Sequence, residues 1–340
     1  MVRLSVIIPF HNAPRHLAGC LSALDRSNYR AHEIILVDDA STDDSARIAR
    51  RFADRLVTLS TNRGPAYARN RGVEEASGDV LVFLDADVRC LPDTLAIIAR
   101  TMQENPDIAA IIGSYDDDPP EPNFLSRYKN LTHHFVHQTS SLDASTFWGG
   151  CGAIRRNVFI ELDGFDESYR RPSIEDIELG YRLRQAAGKI RLCKEVMVKH
   201  AKRWTWSSLL RSDIRDRAIP WTMLQLGSGK ILNDLNTTTT QRLCAVLVYT
   251  GLSCAVLSIW RAWLFPLPLL CFWIVTYANR SQYRFYFRRG GIRFAVGSVL
   301  MHWLYYLYSV VAFGIGFVKF RYTRGIPAAS GPRLFQADRL

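Results

Sequence analysis

The residues best suited to chemistry in this chain are acidic, and they fall in three places. Asp85-Ala86-Asp87 closes the apolar run Leu81 to Leu84. Two carboxylates one residue apart at a strand end offer hard oxygen ligands to a Mg2+ or Mn2+ ion bridging a diphosphate. A solvated turn carries the same pair, so the spacing alone leaves both readings open. Val37-Asp38-Asp39-Ala40-Ser41-Thr42-Asp43 follows a second apolar run, and Glu175-Asp176 opens a helical segment reaching Ala187. Acidic residues at a helix start suit its dipole as readily as they suit a general base. Between the first two acidic edges, Asn62 to Asn70 holds Gly64, which permits close backbone approach, and Arg63 and Arg69, which can meet phosphate charge.

Histidines come next. His200, in Val198-Lys199-His200-Ala201-Lys202-Arg203-Trp204, is either structural or a metal contact. His133, His134 and His137 put two imidazoles four apart on one helix face, a zinc spacing, but neither an HExxH glutamate nor a third ligand accompanies them. They read as acceptor-loop or surface residues. The seven cysteines include no CxxC pair, and three lie inside apolar stretches; they read as small buried hydrophobes in a reducing compartment.

The elements that must position these groups follow from hydrophobic patterning. Short apolar runs (Leu4 to Pro9, Glu33 to Val37, Arg55 to Leu59, Val80 to Leu84) alternate with amphipathic stretches (Ala13 to Asp25, Asp43 to Phe52, Pro65 to Ala76). Such alternation predicts an α/β domain with a mostly parallel, Rossmann-like sheet, and parallel strands bind ligands at their carboxyl ends, where the acids stand. After Leu84 the pattern loosens, with a polar break at Asp116-Asp117-Asp118-Pro119-Pro120 and no clear period up to Thr146. Order returns at Phe147-Trp148-Gly149-Gly150.

At this point the sequence resembles the family 2 glycosyltransferases of the GT-A fold. The resemblance rests on Ser5-Val6-Ile7-Ile8-Pro9-Phe10-His11-Asn12, the Val37 to Asp43 and Asn62 to Gly72 stretches, and Asp85-Ala86-Asp87. It continues through Gly149 to Arg156, Gly164-Phe165-Asp166-Glu167 and Glu175 to Leu183, covering roughly residues 4 to 204. It implies that Pro9, His11, Asp39 and Asp38 line a base and ribose pocket, that Asp87 binds the metal, and that Asp85 lies against the ribose or in the metal shell. Arg69 would approach the diphosphate, Asp176 would be the base with Glu175 in support, and His200 falls where relatives place a His touching metal or diphosphate. The expected reaction is inverting transfer of one sugar from a UDP- or GDP-linked donor with Mn2+ or Mg2+. Rivals are a non-catalytic nucleotide-sugar-binding scaffold and a processive polysaccharide synthase; the latter's QxxRW motif is approached by His200 to Trp204, with His replacing Gln. An NAD enzyme would want GxGxxG after the first strand, where this chain has Pro9-Phe10-His11-Asn12.

Composition then shifts. Lys and Arg total 43 against 32 Asp and Glu, a formal charge of +11, which favours an anionic partner. Basic residues gather around apolar C-terminal segments (Arg280, Arg284, Arg288, Arg289, Arg293, Lys319, Arg321, Arg324), so membrane phosphates explain them more economically than nucleic acid. Residues 205–230, alternating Trp and Arg, predict an interfacial helix or an ordinary packed one. Leu243 to Trp260, Ala262 to Ala278 and Phe294 to Val318 predict two or three transmembrane helices within 243–318, before a basic tail at 319–340. Three crossings leave positive charge on both sides of the last segment, against the charge rule. The expected organisation is a GT-A domain over 1–230 (nucleotide half 1–115, acceptor half 116–204), followed by the membrane region. Arg3, a short β-type run and Pro9 replace a signal peptide's apolar core, so the catalytic domain is expected on the cytoplasmic face of the inner membrane with a lipid-linked acceptor.

Overall fold

Apolar runs with no polar interruption need cover on both faces, and the first strands have it. The computed structural model describes residues 2–229 and 235–323. Its strands are β1 (Leu4–Phe10), β2 (His32–Asp38), β3 (Arg55–Thr58), β4 (Val80–Leu84), β5 (Val88–Cys90), β6 (Ile108–Tyr115), β7 (Asp143–Ala144), β8 (Cys151–Arg155) and β9 (Lys189–His200). They form one sheet in the order β3-β2-β1-β4-β8-β6-β9-β5, with β7 also paired to β9. Helices α1 (Pro14–Asp25), α2 (Ser45–Ala49) and α3 (Pro65–Glu74) connect the parallel strands β1 to β4, as the alternation predicts.

Beyond β4 the sheet is mixed rather than mostly parallel. β8 runs antiparallel to β4 and β6, and β5 and β7 run antiparallel to β9. Only Asp85 to Asp87 separate β4 from β5, far short of the dozen residues that a parallel crossover needs. α4 (Thr94–Glu104), α6 (Arg156–Glu161) and α7 (Glu175–Gln185) complete this half; α5 (Phe124–Thr139) precedes β7 in the chain.

Two buried clusters cover the sheet. Val6, Ile8, Leu36 and Val82 belong to one; Ile7, Ile35 and Phe83 belong to the other. Phe83 is the centre of an aromatic nest, with Phe165 at 5.0 Å, Phe159 at 5.4 Å and Phe147 at 6.1 Å between ring centroids. The nest ties β4 to the segments that carry the acceptor-side motifs.

α5 replaces the stretch in which the sequence shows no clear period. Leu125, Tyr128 and Leu131 are buried at intervals of three, but Asn130, Thr132 and three histidines blur the stripe. His137 is buried, the His133 ring lies tilted beside it at 3.9 Å between centroids, and with His134 both stand on a helix rather than a loop.

Two compact units result, one ending at Trp204 rather than near 230. The sheet unit holds residues up to Ser126 and Ser141–Trp204; the helical unit holds Arg127–Ser140 and Thr205–Tyr322. In the latter, α8 (Trp206–Leu210) and α9 (Ile219–Ser228) are joined by a π-helical stretch, Arg211–Ala218, just before Pro220, which has no N–H to continue a ladder. α10 (Thr239–Leu257), α11 (Pro266–Ala278) and α12 (Arg280–Thr323) follow, α12 kinked at Gly291 where φ is 70°. By length and apolarity α10 and α12 are long enough to cross a membrane. The second predicted span instead becomes a short helix of 13 residues, because Pro266 and Pro268 confine it to begin after Phe265. Of the basic tail, residues 324–340 lie outside the described residues.

Candidate active site

Parallel β1, β2 and β4 end together, and their carboxyl ends deliver His11, Asp38-Asp39 and Asp85-Ala86-Asp87 to one sheet edge. The strand order 3-2-1-4 places the change of winding direction between β1 and β4, where open α/β sheets form their ligand crevice. Pro9 pairs with Val37 in the register of β1 and β2.

The first two acids organise the loops of this edge. Asp39, buried, accepts the backbone N–H of Arg63 at 2.7 Å and of Gly64 at 2.8 Å. Asp38, also buried, accepts from the N–H of Ser41 at 2.8 Å. The His11 ring lies 2.8 Å from the carbonyl of Asp39 through Nδ1, and its Nε2 meets Asn12 at 3.1 Å. Asn12 and Ala40 hold φ values of 48° and 61°, a left-handed geometry that costs energy outside glycine and clusters at functional sites. Gly64, with φ of 90°, is required twice over: a Cβ there would lie 2.5 Å from the carbonyl oxygen of Arg170.

A buried ionic chain then links the DxD corner to α7. Arg69 is 4% exposed; its Nη2 donates to Asp85 at 2.7 Å and its Nη1 to Glu175 at 2.8 Å. The arginine expected at the diphosphate thus spends both terminal nitrogens on carboxylates, because α3 brings it between the end of β4 and the start of α7. Burial opposes the charge on Arg69, but Asp85, Glu175 and Asp176 outweigh it and raise its pKa. Glu175 also accepts from the N–H of Ser173 at 2.9 Å. Asp176 sits beside this chain, accepting from the N–H of Gly149 at 2.9 Å and from that of Ile177 at 2.8 Å. Gly149 lies so close to Arg69 that a Cβ would stand 3.1 Å from the guanidinium carbon.

The other DxD acid faces a different environment. Asp87 Oδ2 is 3.7 Å from His200 Nε2, and its backbone carbonyl accepts from Ala201 at 2.8 Å because β5 and β9 are paired here. Burial pushes the Asp87 carboxyl up, but His200 and Lys202 outweigh it and hold it well below the usual carboxylate range. Burial pushes Asp85 up, Arg69 pulls it back, and neighbouring Asp87 adds to the rise. Two carboxylates whose ionisations oppose each other are what a cation relieves. Among the described residues no group of three or more His, Cys, Asp or Glu is preassembled around a metal position. The carboxylates of Asp85 and Asp87 and the imidazole of His200 are of the donor types that a Mg2+ or Mn2+ ion accepts beside waters and phosphate oxygens.

The structure therefore joins Arg69, Asp85, Glu175 and Asp176 in one cluster, pairs Asp87 with His200, and sets Pro9, His11, Asp38 and Asp39 at the neighbouring strand ends. His133, His134 and His137 belong to the other compact unit. Two contributors escape the sequence. Tyr115, at the end of β6, stacks flat on His200 with centroids 4.3 Å apart and planes 6° apart, and Trp148 meets Tyr115 edge-on at 4.9 Å. An aromatic closing an apolar strand just before a run of acids is the signal that could have marked Tyr115.

This edge gathers a histidine at the end of β1, acids at the ends of β2 and β4, and a further acidic pair at the start of α7. The model of glycosyl transferase family 2 matches residues 5–163, and that of the N-terminal domain of galactosyltransferase matches 129–203. Residues 5–163 thus match the family 2 glycosyltransferases. The chain is 37% identical over 112 residues to the uncharacterized glycosyltransferase YibD of Escherichia coli strain K12, covering 32% of this chain and 33% of that one. It is 28% identical over 219 residues to the undecaprenyl-phosphate 4-deoxy-4-formamido-L-arabinose transferase of Pseudomonas syringae pv. syringae, covering 59% and 58% respectively. The chain thus spans less than two thirds of either relative. Among solved structures, the mannosyltransferase PcManGT from Pyrobaculum calidifontis, in complex with GDP-Man and Mn2+, has the same fold with a TM-score of 0.58 at 18% identity, covering 95% of this chain and 88% of that one.

Proposed function

We propose that this chain is a metal-dependent, inverting glycosyltransferase that moves one sugar from a UDP- or GDP-linked donor to a lipid-linked acceptor, with its sheet unit at the cytoplasmic face of the inner membrane. The observation that carries the reading is the buried chain Asp85–Arg69–Glu175, which couples the donor-side acid to the helix that presents Asp176. The Mn2+ and GDP-Man of the Pyrobaculum structure support a divalent ion and a nucleotide donor. The undecaprenyl-phosphate relative supports a lipid-linked acceptor.

Asp87, Asp85 and His200 would hold the cation, whose charge offsets that gathering on the departing diphosphate. Pro9, His11, Asp38 and Asp39 would bound the nucleoside. Asp176 takes the proton of the acceptor hydroxyl as that oxygen attacks the anomeric carbon opposite the diphosphate, which inverts the centre. The N–H groups of Gly149 and Ile177 each bind one oxygen of Asp176 and fix the carboxylate. Arg69 is a positioning residue: it sets Glu175, and so the start of α7, relative to Asp85.

The test is transfer from a panel of labelled nucleotide sugars to extracted membrane lipids, with and without Mn2+ or Mg2+. Metal-dependent label in the lipid phase is expected. Donor binding without turnover on every acceptor would favour a scaffold, and chain growth from one acceptor would favour a processive synthase.

A further inference from the structure

The helical unit sets its apolar elements across one another, and this decides which of them can enter a bilayer. α10 and α11 form an antiparallel hairpin. A Cβ at Gly251 would lie 3.1 Å from that of Cys271, and the open ends are tied where Gln241 Nε2 donates to Asn279 Oδ1 at 3.0 Å. This hairpin meets α12 close to its tied end. Phe272 lies 5.2 Å from Trp303, the Tyr249 hydroxyl donates to the Leu307 carbonyl at 2.7 Å, and Asn279 Nδ2 donates to the Tyr306 hydroxyl at 3.1 Å. On α12 these contacts span little more than one turn, so the hairpin crosses α12 rather than running beside it.

α12 runs instead along Arg211–Ser228. The Tyr308 hydroxyl donates to Asp213 at 2.6 Å, a Cβ at Gly316 would meet Thr222 at 2.7 Å, and one at Gly227 would lie 3.8 Å from the Phe320 ring. The two segments advance together, and one of them is charged. Were α12 to cross a bilayer over 294–318, Tyr306 would sit at the midplane with Asp213 within a turn of it. Asp213 is buried and ion-paired with Lys129, and Arg215 and Arg217 share its π-helical stretch. Charges at that depth are expensive. Basic residues also flank α12's apolar run at both ends, Arg288, Arg289 and Arg293 before it and Lys319 and Arg321 after it, and both groups suit the anionic cytoplasmic surface. The hairpin is the reverse: its arms expose Leu269, Phe272 and Trp273, and Trp260 and Trp263 flank Arg261 at its tip.

We infer that α12 lies in the plane of an anionic phospholipid surface and that the α10–α11 hairpin alone, among the described residues, enters the bilayer and returns to the side it left. This rests on the reading of the chain as membrane-bound. It removes the conflict of basic residues on both flanks of the last apolar segment, since both flanks stay on one side.

The test uses the full chain with Cys254→Ser, the other cysteines being buried, and single cysteines at Val296, Val311 or Val318, all exposed. Each is labelled with bimane and reconstituted in phosphatidylethanolamine–phosphatidylglycerol vesicles, and quenching by nitroxide lipids of graded depth is read. Equal depth at all three sites is expected, with a reporter fused after Leu340 on the same side as the N-terminal unit. Val311 lying about 10 Å deeper than Val318, as the helical rise demands of a crossing helix, or a reporter on the opposite side, would overturn the inference. A chain that fails to bind vesicles at all would overturn the membrane reading beneath it.

Discussion

The two units of this protein treat burial in opposite ways. The sheet unit buries charge: Glu33, Asp38, Asp39, Arg69, Glu175 and Glu178 are all enclosed and partnered, Glu33 by the Ser5 hydroxyl and Glu178 by Arg182, while its large apolar side chains are almost all covered. The helical unit exposes apolar side chains from Leu243 onward, with Trp263 at 73% and Leu300 at 66%. Water explains the first pattern and cannot explain the second, because contiguous exposed apolar surface of this extent marks a membrane or partner contact. On the proposed reading, the buried charge at the sheet edge serves transfer and the exposed apolar surface of the helical unit serves anchoring.

Substitutions can break that contrast. Asp176→Asn is expected to lower transfer by about 100- to 10,000-fold, the range for losing a general base, while leaving donor affinity unchanged by calorimetry. Arg69→Met leaves Glu175 buried without its cation and is expected to cost about 3–5 kcal/mol in denaturant unfolding. Asp87→Ala should weaken metal-dependent donor binding by about 100-fold or more, exceeding the roughly 10- to 100-fold typical of outer-shell changes at metal sites. Transfer retained in full by both the Asp87 and the Asp176 variants would remove the site assignment altogether.

Acid should act on the same corner. Asp85's raised pKa makes it the first DxD acid to take a proton as pH falls, above the ordinary Asp value of about 3.9, whereas Asp87's depressed pKa keeps it ionised below that value. Loss of metal-dependent binding on acidification is therefore expected to begin above the ordinary Asp value. Asp85→Asn should abolish that early phase of the titration. Smallest of all, Leu269→Ser in the hairpin should change unfolding in detergent by no more than about 0.5 kcal/mol. The same variant should bind vesicles more weakly. By contrast Phe83→Ala, in the aromatic nest, should cost about 3–5 kcal/mol.

Much of this was legible in the residues. The parallel strands of the first half, the acids at their ends, the acidic start of α7 and the switch to an apolar C-terminal region all follow from local pattern, because strand and helix periods and turn residues act over a few positions. α5 was not legible, since polar residues occupy most of its faces and its burial at every third residue is faint. Nor was the reversal of strand direction after β4, which depends on connection geometry rather than on propensity.

Sequence by itself determined which groups could do chemistry and on which strand or helix each stands. Only the tertiary structure decided their partners. Arg69 and Glu175 lie 106 positions apart, and a charge's nearest neighbour across such a distance is set by how α3, β4 and α7 pack, not by anything local to either residue. The same holds for the flat stacking of Tyr115 on His200 and for α12 lying along a charged helix: composition made each possible, and packing chose it.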